Sequence, residues 1–321
     1  MNVVVRRARH VGSRRNRAHI PVLAVVMAGT ALAACGSGST TSVSSSGVVS
    51  VVTAENEYGN VAEQIGGRYV SVVSVESNPN TDPHTYEVSP SVAGEISRAG
   101  LVIQNGVGYD SFMNKIEAAS PDSNRRVIDV QQLLGLPDDT PNPHLWYKPE
   151  TMPAAAKAMG NDLSALDPAH AAYFRANVAT FDASLQPWLH AIAAFRASHA
   201  GATAATTEPV ADYLLQAMGV DNLTPFQFQA DIMNGTDPTP QDVTLENGFF
   251  TKHMVKVFVY NQQVVDSLTE SLRAKAQSVG VPVVGVYETM PVPGYNYQSW
   301  MLAETKAIQN AVVNKTSTLR L

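Results

Sequence analysis

The chain has 321 residues, 45% of them hydrophobic, which is enough for about two domains with buried cores. Six arginines lie in the first 34 residues, where there is no acid, so the remainder has 16 basic and 28 acidic residues and a net charge of −12. This charge disfavours a nucleic-acid partner and repels anionic lipid. The single cysteine, Cys35, excludes an internal disulfide and a cysteine-based metal finger.

The first 47 residues are predicted to be export and anchoring signals. An arginine-rich stretch precedes an apolar run over residues 20–34, which is too short to span a bilayer and indicates a signal peptide, residues 1–34. The run ends in Leu-Ala-Ala-Cys, which resembles the lipobox of bacterial lipoproteins and implies a lipid-modified Cys35; a buried thiol is the alternative. With Cys35, the Ser/Gly-rich residues up to 47 form a predicted flexible tether.

Residues 48–150 alternate short β-branched runs with helix-compatible stretches. Strands are predicted at residues 48–54, 69–75, 101–105 and 126–130, and helices at 61–65, 91–99 and 111–119. Because strands that alternate with helices form parallel sheets, this part is predicted to be an α/β lobe of roughly four parallel strands.

Residues 201–321 repeat this organisation. Strands are predicted at residues 202–206, 222–228, 255–260 and 281–287, and helices at 213–218, 241–252 and 262–278. A second lobe of the same class, again with about four parallel strands, is therefore expected.

Residues 151–200, between the lobes, are predicted to be helical. Asp167 and Pro168 are an N-cap and first-turn pair, and apolar residues then recur every three or four positions up to Phe195. Pro187 removes one backbone hydrogen bond, so a kink is expected near Leu185. Such a helix would be a rigid strut that allows little hinge closure between the lobes.

Four side chains follow predicted strands and are candidate metal ligands. His84 and His144, each preceded by a proline, follow the second and fourth strands of the first lobe, and Glu208 and Glu288 follow the first and last strands of the second. The carboxyl ends of parallel strands are where open α/β sheets bind ligands. Each residue could instead be a solvated loop residue, and Glu208 could cap the helix that starts at Pro209.

Other histidines and tryptophans are weaker candidates. The histidines on or beside predicted helices are expected at the surface: His170, His190, His199 and His253. Trp188 and Trp300 are expected to pack in the core. Trp146, two residues from His144, either lines a cleft or packs.

Five motifs are similar to those of one protein family: DPHTYEVSPS from Asp82, LVIQNG from Leu101, NPHLWYKPE from Asn142, LDPAHAAYFRAN from Leu166 and TTEPVADYLLQAMGV from Thr206. From residue 48 to the C-terminus the chain resembles the cluster A-I metal-binding lipoproteins, the zinc and manganese receptors of bacterial ABC importers. This resemblance implies two α/β lobes joined by one long helix, with a metal ion between them.

The resemblance also implies the ligands. The first-lobe histidines correspond to His84 and His144, the third ligand, histidine or glutamate in the family, to Glu208, and the fourth, usually aspartate, to Glu288. Asn261 stands where many relatives have an acid, so a charge beside the site is expected to be missing. Two imidazoles and two carboxylates suit zinc, manganese or ferrous iron, and zinc should bind at least as tightly as manganese.

The expected function is an extracytoplasmic solute-binding lipoprotein that captures zinc or manganese and delivers it to an ABC permease with its ATPase. It would be a monomer, lipid-anchored to the outer face of the cell membrane. A surface adhesin of the same family is the alternative. A metal-dependent enzyme is disfavoured because the sequence has no HExxH helix and no nucleophile elbow.

Overall fold

The computed structural model describes residues 47–86 and 88–321. The predicted signal peptide, Cys35 and the tether up to residue 46 lie outside the described residues. Within the described part, no helix combines the length and the apolar character needed to cross a membrane.

The first lobe is a four-stranded parallel sheet with helices on its faces. Its strands are β1 Val49–Glu55, β2 Val70–Glu76, β3 Leu101–Gln104 and β4 Arg126–Asp129, in the order β2-β1-β3-β4. Val51 pairs with Val72 on one side and with Leu101 on the other. The helices are α1 Asn56–Gly66, α2 Pro90–Arg98, α3 Ser111–Ala119 and α4 Val130–Leu133. Since all four residues of β3 are buried, this strand is a continuous apolar run, as is typical of parallel sheets.

Three helices connect the lobes: α5 Thr151–Leu166, α6 Ala171–Ser184 and α7 Gln186–His199. The expected kink is confirmed, because α6 ends at Ser184 and α7 begins at Gln186 with Pro187 in its first turn. Proline lacks the N–H that would continue the hydrogen bonding of α6, but at the start of a helix that group is not needed.

The second lobe repeats the first. Its strands are β5 Thr203–Thr206, β6 Asp221–Asn222, β7 Val257–Asn261 and β8 Val283–Val286, in the order β6-β5-β7-β8 and again all parallel. Its helices are α8 Asp212–Met218, α9 Phe226–Met233, α10 Pro240–Thr251, α11 Ser267–Ser278 and α12 Tyr297–Asn314. The predicted fold class of two parallel α/β lobes is confirmed. The one long rigid helix expected to join them is divided at Leu185 into α6 and α7.

Two features of the second lobe differ from expectation. The predicted strand over residues 222–228 is wrong, since β6 stops at Asn222 and residues 226–233 form α9. Phe228 and Ile232 are buried one helical turn apart while Phe226 is 41% exposed, so the apparent alternation of phenylalanines is one face of a helix. Helix α12 was not predicted, although its Asn296 and Ser299 form a reciprocal capping box.

The lobes share one hydrophobic core. A single buried cluster includes Val51 and Leu101 of the first sheet and Val257 and Val284 of the second. Trp188 and Trp300 are fully buried in it, as expected. Hydrogen bonds also cross between the lobes: the Tyr147 hydroxyl donates to the carbonyl of Tyr287 at 2.6 Å, and the Tyr297 hydroxyl donates to that of Trp146 at 2.6 Å.

Candidate metal site

Each of the four candidate ligands lies beyond the carboxyl end of a strand. His84 is in the turn Pro83–Thr85 after β2, and His144 precedes the turn Leu145–Tyr147, which follows β4 and α4. Glu208 comes two residues after β5, and Glu288 comes two residues after β8.

The structure brings three of the four together. One potential ligand atom from each of His84, His144 and Glu288 lies within 4.8 Å of the other two. Oε2 of Glu288 is 3.1 Å from Nε2 of His84 and 3.0 Å from Nε2 of His144. Two donors that bind one zinc ion at tetrahedral angles lie roughly 3.3 Å apart, since zinc bonds to nitrogen and oxygen measure about 2.0–2.2 Å. The distances from Oε2 of Glu288 to the two imidazole nitrogens are therefore close to those expected for ligand atoms that share one ion.

Asn142 sets the orientation and tautomer of His144. Its Oδ1 accepts hydrogen bonds from the His144 backbone N–H at 3.0 Å and from Nδ1 at 2.8 Å, while its Nδ2 donates to the carbonyl of Pro209 at 2.8 Å. Because a carbonyl can only accept, the Asn142 amide has one consistent orientation, and the ring proton of neutral His144 belongs on Nδ1. The lone pair on Nε2 is left free and faces Glu288.

Glu208 lies outside this group of three and is connected to it through Asn261. Nδ2 of Asn261 donates to Oε1 of Glu208 at 3.1 Å and to Oε1 of Glu288 at 2.7 Å. Asn261 therefore supplies both amide hydrogens to two carboxylates. The other oxygen of Glu208, Oε2, is buried and has no hydrogen-bond partner. A buried acceptor without a partner carries a desolvation cost of about 1–3 kcal/mol, which a proton or a cation would relieve.

Aromatic side chains form one wall of the site. The hydroxyl of Tyr109 donates to Oε2 of Glu288 at 3.0 Å, and its ring is edge-on to His84 at 5.1 Å and to His144 at 5.8 Å. Trp146 is fully buried 5.4 Å from the His144 ring, so it both packs and borders the site. Tyr109 was not predicted, although it follows β3 at the sheet edge that carries the histidines.

The other histidines do not join this group. His190 and His253 are exposed, and His170 and His199 are half-buried and stack on Tyr69 and Phe195.

A family model described as ZnuA, the zinc-uptake complex component A, periplasmic, matches residues 51–311, most of the chain. The chain belongs to this family. Its members are uptake components rather than enzymes, in agreement with the sequence-based expectation.

Individual relatives are more distant. The manganese-binding lipoprotein MntA of Halalkalibacterium halodurans is 27% identical over 178 residues, which is 53% of this chain and 57% of that protein. The match thus spans little more than half the length of the curated relative. Among solved structures, the periplasmic zinc-binding protein TroA from Treponema pallidum has a TM-score of 0.70 and 18% identity over 84% of this chain and all of that chain. The laminin-binding adhesin Lmb from Streptococcus agalactiae has a TM-score of 0.69 and 17% identity over 82% and 99%. These structures share the two-lobe fold.

The protonation of this family member's site follows from burial and hydrogen bonding. Burial raises the pKa of Glu288, but the close contacts of its carboxylate with the imidazoles of His144 and His84 outweigh burial and hold that pKa well below the usual range. Burial lowers the pKa of His144 more than Glu288 raises it. For the partly exposed His84, the bond and charge of Glu288 and the charge of Asp82 outweigh desolvation and raise the pKa. Without metal, Glu288 is ionised, His144 neutral and His84 the more readily protonated imidazole.

Glu208 has the opposite character to Glu288. Burial, together with the charge of Glu288, raises the pKa of Glu208 well above its usual range, and the single bond from Asn261 offsets only part of this effect. A neutral Glu208 beside an ionised Glu288 avoids two adjacent buried charges. A divalent cation would let both carboxylates ionise.

Proposed function

We propose that this protein is an extracytoplasmic solute-binding lipoprotein that captures zinc or manganese between its lobes and delivers it to an ABC permease. The observation that carries the proposal is that His84, His144 and Glu288 meet at one place in the cleft. Glu288 lies at least 144 positions from either histidine in the chain, so only the fold brings the three together. Membership of a zinc-uptake family and likeness to a manganese-binding lipoprotein support the same conclusion.

The proposed ligands are His84, His144, Glu208 and Glu288. Asn142 keeps Nε2 of His144 free, which is the form of imidazole that binds a metal. Because the ring proton of His144 is hydrogen-bonded to Asn142, the lone pair on Nε2 faces the ionised Oε2 of Glu288. Two hydrogen-bond acceptors at this distance repel each other, and a cation bound between them would remove the repulsion. The unpartnered Oε2 of Glu208 supports this residue as the fourth ligand.

The ligand set bears on the choice of metal. Two imidazoles and two carboxylates carry a charge of −2 once both acids are ionised, which is suited to zinc, manganese and ferrous iron. Intrinsic affinity for such ligands rises from manganese to zinc, so zinc should bind at least as tightly in vitro. For manganese to be the transported ion, more free manganese than free zinc would therefore have to be available to the protein.

The remaining parts of the proposal come from the sequence. Cys35 would carry the lipid and residues 35–47 would tether the lobes, 48–150 and 201–321, to the outer face of the membrane, with residues 151–200 between them. The partners would be the permease and its ATPase, and the protein would act as a monomer without catalysing a reaction.

Calorimetric titration of chelator-treated protein with zinc and with manganese tests the proposal. One ion should bind per chain, with zinc at least as tight as manganese. Absence of saturable binding of either ion would refute the metal-receptor function. A binding assay on immobilised laminin, run in the presence of chelator, tests the adhesin alternative. The proposed receptor function predicts no binding to laminin under these conditions, whereas an adhesin that acts without metal would bind.

Metal binding should also release protons. The raised pKa values of His84 and Glu208 favour protonated forms of both groups in the metal-free site. Such protons must leave for the ion to bind, so release of up to about two protons per zinc ion is expected near pH 7. Affinity should rise with pH, because protons compete with the metal at groups whose pKa values are raised. Titrations in buffers of different ionisation enthalpy count the released protons.

Single variants assign these protons. Glu208→Gln should lower the count by about one. His144→Ala should weaken binding but keep the count, because His144 is already neutral. A proton count that Glu208→Gln leaves unchanged would contradict this protonation scheme.

A further inference from the structure

The proposed ligands differ in their access to solvent. The imidazole of His84 is 21% exposed, whereas the side chains of His144 and Glu288 are fully buried and Glu208 is 2% exposed. An ion that enters or leaves the site meets solvent first on the His84 side. Exchange of the ion therefore depends most directly on the segment that carries His84.

This segment, residues 77–86, is called the His84 loop below. Its described hydrogen bonds include several local ones: the Thr81 N–H donates to the Asn78 carbonyl at 3.2 Å, Asn78 Nδ2 donates to the Thr81 hydroxyl at 2.7 Å, and the His84 N–H donates to Asp82 at 2.8 Å. A cavity of about 210 Å³ borders the loop, with Glu76 and Thr289 also in its lining. The loop is therefore held together by its own hydrogen bonds and has free space beside it. Both features favour movement of the loop as a unit.

Gln263 ties this loop to the second lobe. Its Nε2 donates to the carbonyl of Thr81 at 2.7 Å, and its Oε1 accepts the N–H groups of Glu288 at 2.6 Å and Thr289 at 2.8 Å. Gln263 as a residue is only 8% exposed, so these bonds are largely shielded from water. One buried amide therefore joins the backbone before His84 to the backbone of Glu288.

Asn56 offers a comparison, because it holds the same Glu288 segment from the first lobe. Its Oδ1 accepts the N–H of Met290 at 3.0 Å, and its Nδ2 donates to the carbonyl of Met290 at 2.9 Å. Both of the bonds described for this amide go to Met290. A change at Asn56 therefore loosens the Glu288 side of the cleft while the tie from Gln263 to the His84 loop stays in place.

We propose that the His84 loop is the gate of the metal site and that the side chain of Gln263 is its latch. The inference rests on the proposed metal-binding function and adds the route of entry and release. With the bond to Thr81 intact, His84 is held against Glu288 and closes the site. When that bond opens, the loop swings away with His84, and the ion reaches solvent while His144 and Glu288 remain in place.

Rates of metal exchange in the full-length protein test the proposal. Gln263→Met preserves the approximate size of the side chain but removes the amide. Loosening a gate speeds passage of the ion in both directions. The rates of zinc association and of chelator-driven dissociation, measured by stopped flow, should therefore both rise about tenfold. This factor is equivalent to a decrease of about 1.4 kcal/mol in the free energy of opening. The dissociation constant should change much less than either rate. Asn56→Leu, the matched control, should leave the association rate unchanged.

Other rate patterns would overturn the gate. Faster dissociation with unchanged association would mean that Gln263 only holds Glu288 in position. Unchanged rates would mean that the tie to Thr81 does not control exchange. If the native protein does not bind zinc at all, the proposed metal-receptor function itself is refuted. Failure of the gate and failure of the proposed function therefore give different results.

Hydrogen exchange on metal-free protein gives a second readout. Amides of residues 77–86 should exchange faster in Gln263→Met than in native protein and should stay native-like in Asn56→Leu. If Gln263→Met does not fold, the native protein alone decides: residues 77–86 should exchange faster than residues 288–290, and the reverse order would contradict a gate on the His84 side.

Discussion

Alanine in place of His144 is expected to weaken zinc binding by at least about a hundredfold. His144 is fully buried, and its Nε2 lies 3.0 Å from Oε2 of Glu288. Structural zinc sites gain roughly 10–16 kcal/mol from about four ligands, so the loss of one should cost several kcal/mol. Competition titration against a chelator of known affinity at pH 7 measures this change.

His190 and His253 provide the matched controls, since both are exposed helix-end or surface histidines outside the site. Alanine at either position should leave the affinity unchanged. Because removal of a buried ring can also disturb packing, His84→Ala is a useful companion: this imidazole is partly exposed, so its loss should weaken binding with less effect on folding. Native affinity in both His144→Ala and His84→Ala would place the metal elsewhere.

Saturating metal is expected to stabilise the folded protein by about 4 kcal/mol at a concentration a thousand times the dissociation constant. The native state alone assembles ligands from both lobes, so ligand binding shifts the equilibrium toward it. For a domain of this size the gain corresponds to a rise in Tm of about 10 °C. Differential scanning calorimetry of chelator-treated protein, with and without zinc or manganese, measures the shift.

The site explains why the effect should be large. Without metal, Oε2 of Glu208 has no partner and Glu288 faces the lone pair of His144, and an ion relieves both contacts. His144→Ala, tested under the same conditions, should lose most of the shift. If neither zinc nor manganese raises the Tm of the native protein, the metal-receptor function is refuted.

The strand pattern of this protein could be predicted from local sequence. Runs rich in β-branched and aliphatic residues, such as 48–54 and 101–105, coincide closely with β1 and β3, and Pro187 marked the break between α6 and α7. The run over residues 222–228 misled because Phe226 and Phe228 alternate like a strand, while burial follows Phe228 and Ile232 like a helix. Over so few residues the two periods cannot be told apart.

The sequence by itself determined which residues could form the site. Prolines before His84 and His144, and the position of Glu208 and Glu288 after strands of a repeated α/β pattern, placed all four at carboxyl edges of parallel sheets. Those features are local, because strand periodicity and turn chemistry depend on neighbours in the chain. Family motifs then implied the metal.

Only the tertiary structure decided how these residues meet. Asn56 and Met290, 234 positions apart, are joined through one amide, and Gln263 connects the backbone at Thr81 to that at Glu288. Asn261 is a further example. The family resemblance implied a missing charge at this position, and only the fold showed that its amide donates to both carboxylates. Such bonds require two lobes to pack with ångström precision through a shared core, and no local pattern specifies that distance.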